Sequence, residues 1–468
     1  MEIIHVSVEC YPMAKAGGLA DVVGALPKYQ QSLGIICKVV MPMHRTKFLY
    51  EHEWEVVHKG AFAMGNYQFD FTIIKEKENT LDFDLYCVDI QGLLDREKIY
   101  SYDDDTERFV AFQIAVTEWI SKWEHLPDIV HVHDHHAALI PFMLKHCFAY
   151  QHLTKIKTVL TIHNAQYQGW MGWEKATYLP AWDTWQWGLL DWSNVVNPLA
   201  AGIKCADQVT TVSPGYMQEL MNDANGLEVL FQAEAAKCTG IINGIDYAVW
   251  NPQTDTFILD NYSSKDAEHG KQLNKKSLCD NFKLNVKLPL FIFIGRLVNE
   301  KAADVLPDAL RLAFKKSKNK FNFLILGSGD KTLEFVFENL QSQWVGYYNS
   351  QIGFNEKLSH QMYAGADFLI MPSRVEPCGL NQLYAMRYGT VPVVRKTGGL
   401  KDTVIDVEDQ GYGITFEQAT PQDVATSIER GIALYKDKKR MNELIVRMME
   451  LNHSWNTSAA AYLEVYNK

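Results

Sequence analysis

At 468 residues the chain exceeds what one hydrophobic core serves, and two or three domains are expected. With 47% hydrophobic and 22% charged residues it reads as an ordinary soluble protein, and a formal charge of −11 leaves no basic surplus for a phosphate backbone, so no nucleic-acid partner is expected. No apolar run approaches the roughly 18 residues of a membrane span, and the eight cysteines lie scattered without a Cys-x-x-Cys pair, which fits reduced thiols in a cytoplasmic protein.

The N-terminal residues Met1-Glu2-Ile3-Ile4-His5-Val6 open a strand signal over 2–8, without the basic start and long apolar run of a signal peptide. The loop that follows, Lys15-Ala16-Gly17-Gly18-Leu19-Ala20-Asp21, precedes helical sequence; paired glycines let the backbone approach a ligand closely, and lysine adds a point charge for phosphate. A second strand is expected at 36–41. Asp103-Asp104-Asp105 resembles an acidic metal motif, but Thr106-Glu107-Arg108-Phe109 opens a helix pattern behind it, so the aspartates are expected to cap that helix.

A strand over 128–133 runs into Asp134, and one over 157–162 runs into His163-Asn164; both place polar groups at strand C-termini, where open α/β sheets keep their ligands. His131-Val132-His133-Asp134-His135-His136 offers a rival metal centre, since 131 and 133 share one strand face, and a metallohydrolase is the alternative function carried from here. Without carboxylates at matching spacing, no metal is expected. Trp170, Trp173, Trp182, Trp185, Trp187 and Trp192 could stack on sugar rings, although packing is the preferred reading for most of them. A strand at 207–212 closes this half.

Gly240-Ile241-Ile242-Asn243-Gly244-Ile245-Asp246, followed by Pro252 and a polar stretch, marks the expected boundary. Beyond it, strands are expected at 289–294, 321–327, 367–371 and 391–394. The uninterrupted Leu290-Phe291-Ile292-Phe293-Ile294 signals burial on both faces, hence parallel strands flanked by helices. After it come Arg296, a planar fork for phosphate oxygens, and Lys301, a compact charge; together they could neutralise a departing nucleoside diphosphate without a metal, or simply form a solvated pair. Gly327-Ser328-Gly329-Asp330 reads as a strand-end turn. Arg374-Val375-Glu376-Pro377-Cys378-Gly379-Leu380 puts one carboxylate at the mouth of a strand, with backbone N–H groups and a helix start behind it. Lys396-Thr397-Gly398-Gly399-Leu400-Lys401-Asp402 then repeats the first glycine loop, suggesting two loops that face one cleft. The fold class is therefore α/β, with two doubly wound Rossmann-like domains on a central inter-domain cleft. The expected domains are 1–242 and 243–450, with 451–468 a helix returning to the first.

The Lys-x-Gly-Gly-Leu motif at 15–19 and Glu-Pro-Cys-Gly-Leu at 376–380, with Ser454-Trp455 near the end, resemble almost end to end the bacterial glycogen synthases and starch synthases, family-5 retaining glycosyltransferases of GT-B architecture. The resemblance implies transfer of glucose from ADP-glucose, or UDP-glucose in some members, to the non-reducing end of an α-1,4-glucan. It implies no cofactor beyond that donor. By position, Lys15, Gly17 and Gly18 match the loop on the donor diphosphate and sugar, and Arg296 and Lys301 the pair holding the phosphates. His163, with Asn164 beside it, matches the contact to the glucose 6-hydroxyl and reacting centre, and Asp134 an acidic residue beside the sugar. Glu376 matches the carboxylate that supports the cation-like transition state. Cys378, Gly379 and Leu380 match backbone contacts to glucose hydroxyls, Asn243 a hinge-side contact, and Phe354 an aromatic against the base. The sequence departs from the family at Asn381, at Asn299-Glu300-Lys301-Ala302-Ala303 and at Ala200, which spares the carboxylate and the phosphate-binding residues.

Overall fold

Ile3, Ile4 and Val6 are fully buried, as apolar residues on both faces of a covered strand must be, and they form β1 (Glu2–Val6) near the middle of a nine-stranded sheet in a computed structural model that describes residues 1–468. The other strands of this sheet are β2 (Ile36–Pro42), β3 (Trp54–Met64), β4 (Tyr67–Glu76), β5 (Asp84–Asp89), β6 (Ile129–His133), β7 (Lys157–Ile162), β10 (Gln208–Thr211) and β11 (Cys238–Gly240). The short pair β8 (Asp191–Trp192) and β9 (Val195–Val196) stands apart. The spatial order is β11-β10-β7-β6-β1-β2-β5-β4-β3. All neighbours are parallel except β3–β4 and β4–β5, which add an antiparallel edge. The chain leaves β1 toward β2 and β5, then returns to the opposite side of β1 with β6. The loops after β1 and β6 therefore part company at a topological switch point, the crevice where open α/β sheets take ligands.

The second sheet repeats the plan with β12 (Leu290–Ile294), β13 (Asn322–Gly327), β14 (Tyr348–Ile352), β15 (Phe368–Met371), β16 (Val391–Arg395) and β17 (Ile414–Phe416), all parallel, in the order β14-β13-β12-β15-β16-β17. Here the order reverses between β12 and β15, where Phe291 stacks on Phe368 at 4.6 Å. The switch-point loops are those carrying Arg296–Lys301 and Arg374–Leu380.

Two units result: Met1–Asn243 with Trp455–Lys468, and Gly244–Ser454. The last helix, Trp455–Asn467, buries Trp455, Ala459, Tyr462, Val465 and Tyr466 in the first unit. All eight cysteines are free thiols, seven of them buried. No helix is long and apolar enough to cross a membrane.

Candidate active site

In the first unit the loop after β1 is shaped by a carboxylate that sequence reasoning passes over. Glu9 accepts hydrogen bonds from the backbone N–H of Ala16 at 2.6 Å and of Gly17 at 2.9 Å, and from the Tyr100 hydroxyl at 2.6 Å. Gly17 is the N-cap of the helix Gly18–Ser32, with φ −150°, and a Cβ added at either Gly17 or Gly18 would meet no protein atom within 4 Å. Nothing inside the protein demands glycine there, so the open space suits a ligand. Lys15 points along the same loop and pairs with Asp21 at 2.6 Å.

Asp134, at the end of β6, takes the left-handed φ of 56° and turns its carboxylate onto the next strand's loop, accepting from the His163 N–H at 2.7 Å. Burial raises its pKa to about 7, against the opposing hydrogen bonds from the His163 and Asn164 backbone. Asp134, His163 and Asn164 thus come together, with Asp134 clamping the loop. Burial drives the His163 imidazole down to about 3, so it is neutral at physiological pH. Asn243 is buried, and its Oδ1 has no protein partner.

Behind His163 lies a buried histidine cluster. His5 stands opposite His131 in the β1–β6 register, and ring nitrogens of His5, His131 and His133 lie within 4.8 Å of one another, close enough for a metal to bridge. All six of those nitrogens, however, already have partners. His5 meets His133 and Gln30, His133 meets His5 and His163, and His131 meets Tyr466 and Thr161, at 2.6 to 3.1 Å. The donor set is arranged as a hydrogen-bonded chain. His135 and His136 take no part: their rings lie against each other at 3.6 Å, tilted by 36°, with Phe109 packed edge-on against His136. The 131–136 run is thereby split, which corrects its reading as one metal cluster.

In the second unit Glu376 is 7% exposed. Its Oε1 lies 2.7 Å from the Lys301 ammonium, and its Oε2 accepts from the Ser373 hydroxyl at 2.8 Å. Arg296, more open to solvent, pairs with Glu300 at 2.9 Å. The Glu300 carbonyl in turn accepts from the N–H of Arg374 and Val375, tying the loop after β12 to the loop after β15. Arg374 grips Asp304 with both guanidinium arms. Gly379 holds φ 74° just before the helix Asn381–Arg387, which brings the Cys378–Leu380 backbone round the strand end. Asn381, one of the departures from the family, donates to the Ile294 carbonyl at 2.7 Å. Phe354 follows Gly353 and is 83% exposed.

Two further expectations are corrected. The repeated glycine loop at 396–402 serves the second unit's own packing. A Cβ on Gly398 would stand 2.1 Å from the Glu376 carbonyl oxygen and one on Gly399 2.2 Å from that of Cys378, while Lys396 pairs with Glu417. Asp104 occupies the N-cap of the helix Asp105–Ile120, but its carboxylate makes no capping bond and pairs with Arg96 instead. Of the six tryptophans, Trp170, Trp185 and Trp187 are exposed, Trp185 to 91%, but Trp173 meets Trp187 edge-on, Trp182 packs on Phe142 and Trp192 lies under Lys204, so four of the six have packing partners. Gly327 and Gly329 pack against the Gly295 and Leu297 backbone, as a strand-end turn requires.

Two doubly wound sheets with charged loops at their switch points match the architecture of GT-B glycosyltransferases. The first half, residues 2–233, matches the starch synthase catalytic domain family, and residues 275–445 match the glycosyl transferases group 1 family. A glycogen synthase of Flavobacterium johnsoniae is 51% identical over all of this chain and 99% of its own, and one from Exiguobacterium sibiricum is 37% identical over 100% and 98%. Among solved structures, the catalytic domain of starch synthase IV from Arabidopsis thaliana, bound to ADP and acarbose, superposes with a TM-score of 0.90 at 30% identity, covering 99% of this chain and 98% of that one. A sucrose-phosphate synthase from Thermosynechococcus elongatus, at 17% identity and TM-score 0.63, shares the fold. This chain belongs to the glycogen synthase and starch synthase family.

Proposed function

We propose that the chain transfers glucose from ADP-glucose to the non-reducing end of an α-1,4-glucan such as glycogen, retaining the α configuration and using no metal. The observation that carries this reading is the buried Glu376 carboxylate held against Lys301 at a switch point, in a chain with full-length similarity to glycogen synthases. ADP-glucose is taken as the donor because a structural relative was solved with ADP bound. The free thiols support a reducing, cytoplasmic setting.

Arg296 and Lys301 hold the donor phosphates, the guanidinium as a fork and the ammonium as a point charge. As the diphosphate leaves, its charge grows at these groups, and each donor aimed at developing charge is worth on the order of 2.7–4 kcal/mol of barrier. Glu376 faces the positive character that appears on the glucose ring, and the backbone at Cys378, Gly379 and Leu380 contacts the glucose hydroxyls. Phe354 lies against the base. In the first unit, Lys15 and the backbone at Gly17 and Gly18 meet the diphosphate and sugar. His163 and Asn164 contact the glucose 6-hydroxyl and reacting centre, Asp134 fixes their loop, and Asn243 offers its unpartnered oxygen. Lys15 and Lys301 both hold carboxylates in the structure, so each exchanges an internal partner for phosphate when donor binds. With Glu376 as the one carboxylate assigned to the sugar, attack on the face the diphosphate leaves is favoured over a covalent glucosyl-enzyme.

Initial rates with ADP-glucose and with UDP-glucose on glycogen test this. Glycogen-dependent ADP release, faster than UDP release, is expected. A faster UDP-glucose reaction would overturn the choice of donor, and no turnover of either would overturn the transfer itself.

A further inference from the structure

The buried histidines form a single file with an amide at its far end, and the chemistry of that amide decides where every proton in the file sits. Neutral imidazole carries one N–H and one lone pair, so a ring that donates from one nitrogen must accept at the other. All four rings are held neutral by burial: His5 is lowered to about 4, His163 to about 3, and His131 and His133 well below the ordinary range.

The order can be read from Gln30. Its Nε2 donates to the Tyr466 hydroxyl at 2.8 Å, and its Oε1 receives the Cys37 thiol at 3.3 Å. Burial pushes that thiol up to about 12, so it keeps its proton and remains a donor. Gln30 Oε1 also lies 2.8 Å from His5 Nε2, which must then carry its hydrogen, leaving His5 Nδ1 a lone pair. His5 Nδ1 is 3.1 Å from His133 Nε2, which donates to it; His133 Nδ1 is then a lone pair, 3.1 Å from His163 Nε2. The other branch is consistent with this polarity. Tyr466, having accepted from Gln30, donates to His131 Nδ1 at 2.8 Å, and His131 Nε2 donates to Thr161 Oγ1 at 2.6 Å. No step leaves two donors or two acceptors facing each other. Amide placement follows from the network of partners, and reversing Gln30 would reverse every proton in the file together.

We propose that Gln30, acting through His5 and His133, is a positioning residue that fixes His163 as the Nε2–H tautomer, with its Nδ1 lone pair left over as a hydrogen-bond acceptor. Such a nitrogen receives a hydroxyl hydrogen, which is the need of a site that contacts a sugar hydroxyl; that consequence rests on the placement of His163 in the glucose site, whereas the tautomer itself does not. Fixing the ring at one nitrogen also holds its plane, and the full burial of His5, His131 and His133 keeps water from satisfying the file behind it in another orientation.

The full-length wild-type protein, labelled with 15N only in histidine, tests the tautomer directly through long-range 15N–1H correlation spectra, with His163→Gln used for assignment. A pyrrole-like Nε2 and pyridine-like Nδ1 for His163 at neutral pH are expected. A protonated Nδ1, or an imidazolium, would overturn the inference. In Gln30→Met, which keeps the side chain's length and removes both hydrogen-bonding atoms, the His163 signals are expected to shift toward a mixture of tautomers. kcat should fall, by up to about a hundredfold as for other displaced site groups, with donor KM changing less. Unchanged His163 shifts in folded Gln30→Met would overturn the role of Gln30. Should His163→Gln keep wild-type kcat while the wild-type spectrum shows Nε2–H, the file stands as described and the assignment of His163 to glucose transfer fails.

Discussion

Glu376 is a carboxylate almost sealed from water, a state that is unfavourable unless its charge is matched. Lys301 supplies the match at 2.7 Å, and Ser373 satisfies the second oxygen. Lys301→Ala therefore leaves a buried charge uncompensated. The variant is expected to lose about 3 kcal/mol in urea denaturation, the low end for a broken buried pair because Lys301 itself keeps 22% exposure. The glycines divide along the same line between packing and ligand. Gly398 combines a φ of 44° with a Cβ position inside contact distance of the Glu376 carbonyl. Gly398→Ala is expected to destabilise the protein by at least the roughly 1–3 kcal/mol of a strained backbone. Gly17 has an extended φ and empty space before it. Gly17→Ala should melt close to wild type, while its KM for the donor rises; an unchanged KM would show that no ligand reaches that loop.

At the scale of elements, β1, β6 and β7 and the loops after them carry five of the first unit's titrating groups. The folded imidazoles of His5 and His163, at about 4 and about 3, lie below the ordinary value near 6.5, and His131 and His133 are lowered as well. Groups depressed in the folded state bind more protons when unfolded. Their stabilisation is complete above the unfolded pKa and is lost as pH falls from about 6.5 toward 4, each tenfold difference in proton affinity between the two states being worth about 1.4 kcal/mol. Asp134, raised to about 7, acts in the opposite sense, and its contribution falls as pH rises from about 4 to 7. Four imidazoles outweigh one carboxyl, so stability in urea should decline between about pH 6.5 and 4.5, and Asp134→Asn should make that decline steeper.

What can be read from sequence follows the same physics. β1, β6, β7, β12, β13 and β15 are legible because strands covered on both faces are rich in β-branched and apolar residues, without interruption in Leu290–Ile294 and broken by single polar residues in β1, β6 and β7. β3 and β4 escape that reading because an edge hairpin half open to solvent alternates instead: Ala61 and Ala63 are exposed while Phe62 and Met64 are buried. The Gly65-Asn66 pair joining them is the available turn signal. In the site, motif residues such as Glu376 and Lys301 are visible as strand-end polar groups, but their mutual ion pair is not, since 75 residues separate them. His5 and Glu9 pass as single polar residues at a strand; only the register of β1 against β6 reveals that His5 stands opposite His131.

For the whole molecule, the notable feature of the chain's course is its end. After forming the second unit it returns at Trp455 to complete the first, and Tyr466, two residues from the C-terminus, enters the histidine file through Gln30 and His131. Tyr466→Phe keeps the ring and removes the hydroxyl, leaving a buried amide donor and an imidazole nitrogen unsatisfied. A loss of about 1–3 kcal/mol is expected from urea denaturation, against near-wild-type stability for removal of the exposed Tyr50 hydroxyl. Both units place their charged loops at a reversal of strand order, and in the second unit that reversal brings a carboxylate and its lysine together on loops far apart in sequence. The most direct check of that arrangement is the kcat of Glu376→Gln with ADP-glucose and glycogen. The neutral isostere retains the Ser373 and Lys301 contacts in shape but not in charge, so kcat should drop on the order of a hundredfold or more in a folded protein. A wild-type kcat would contradict the role given to Glu376.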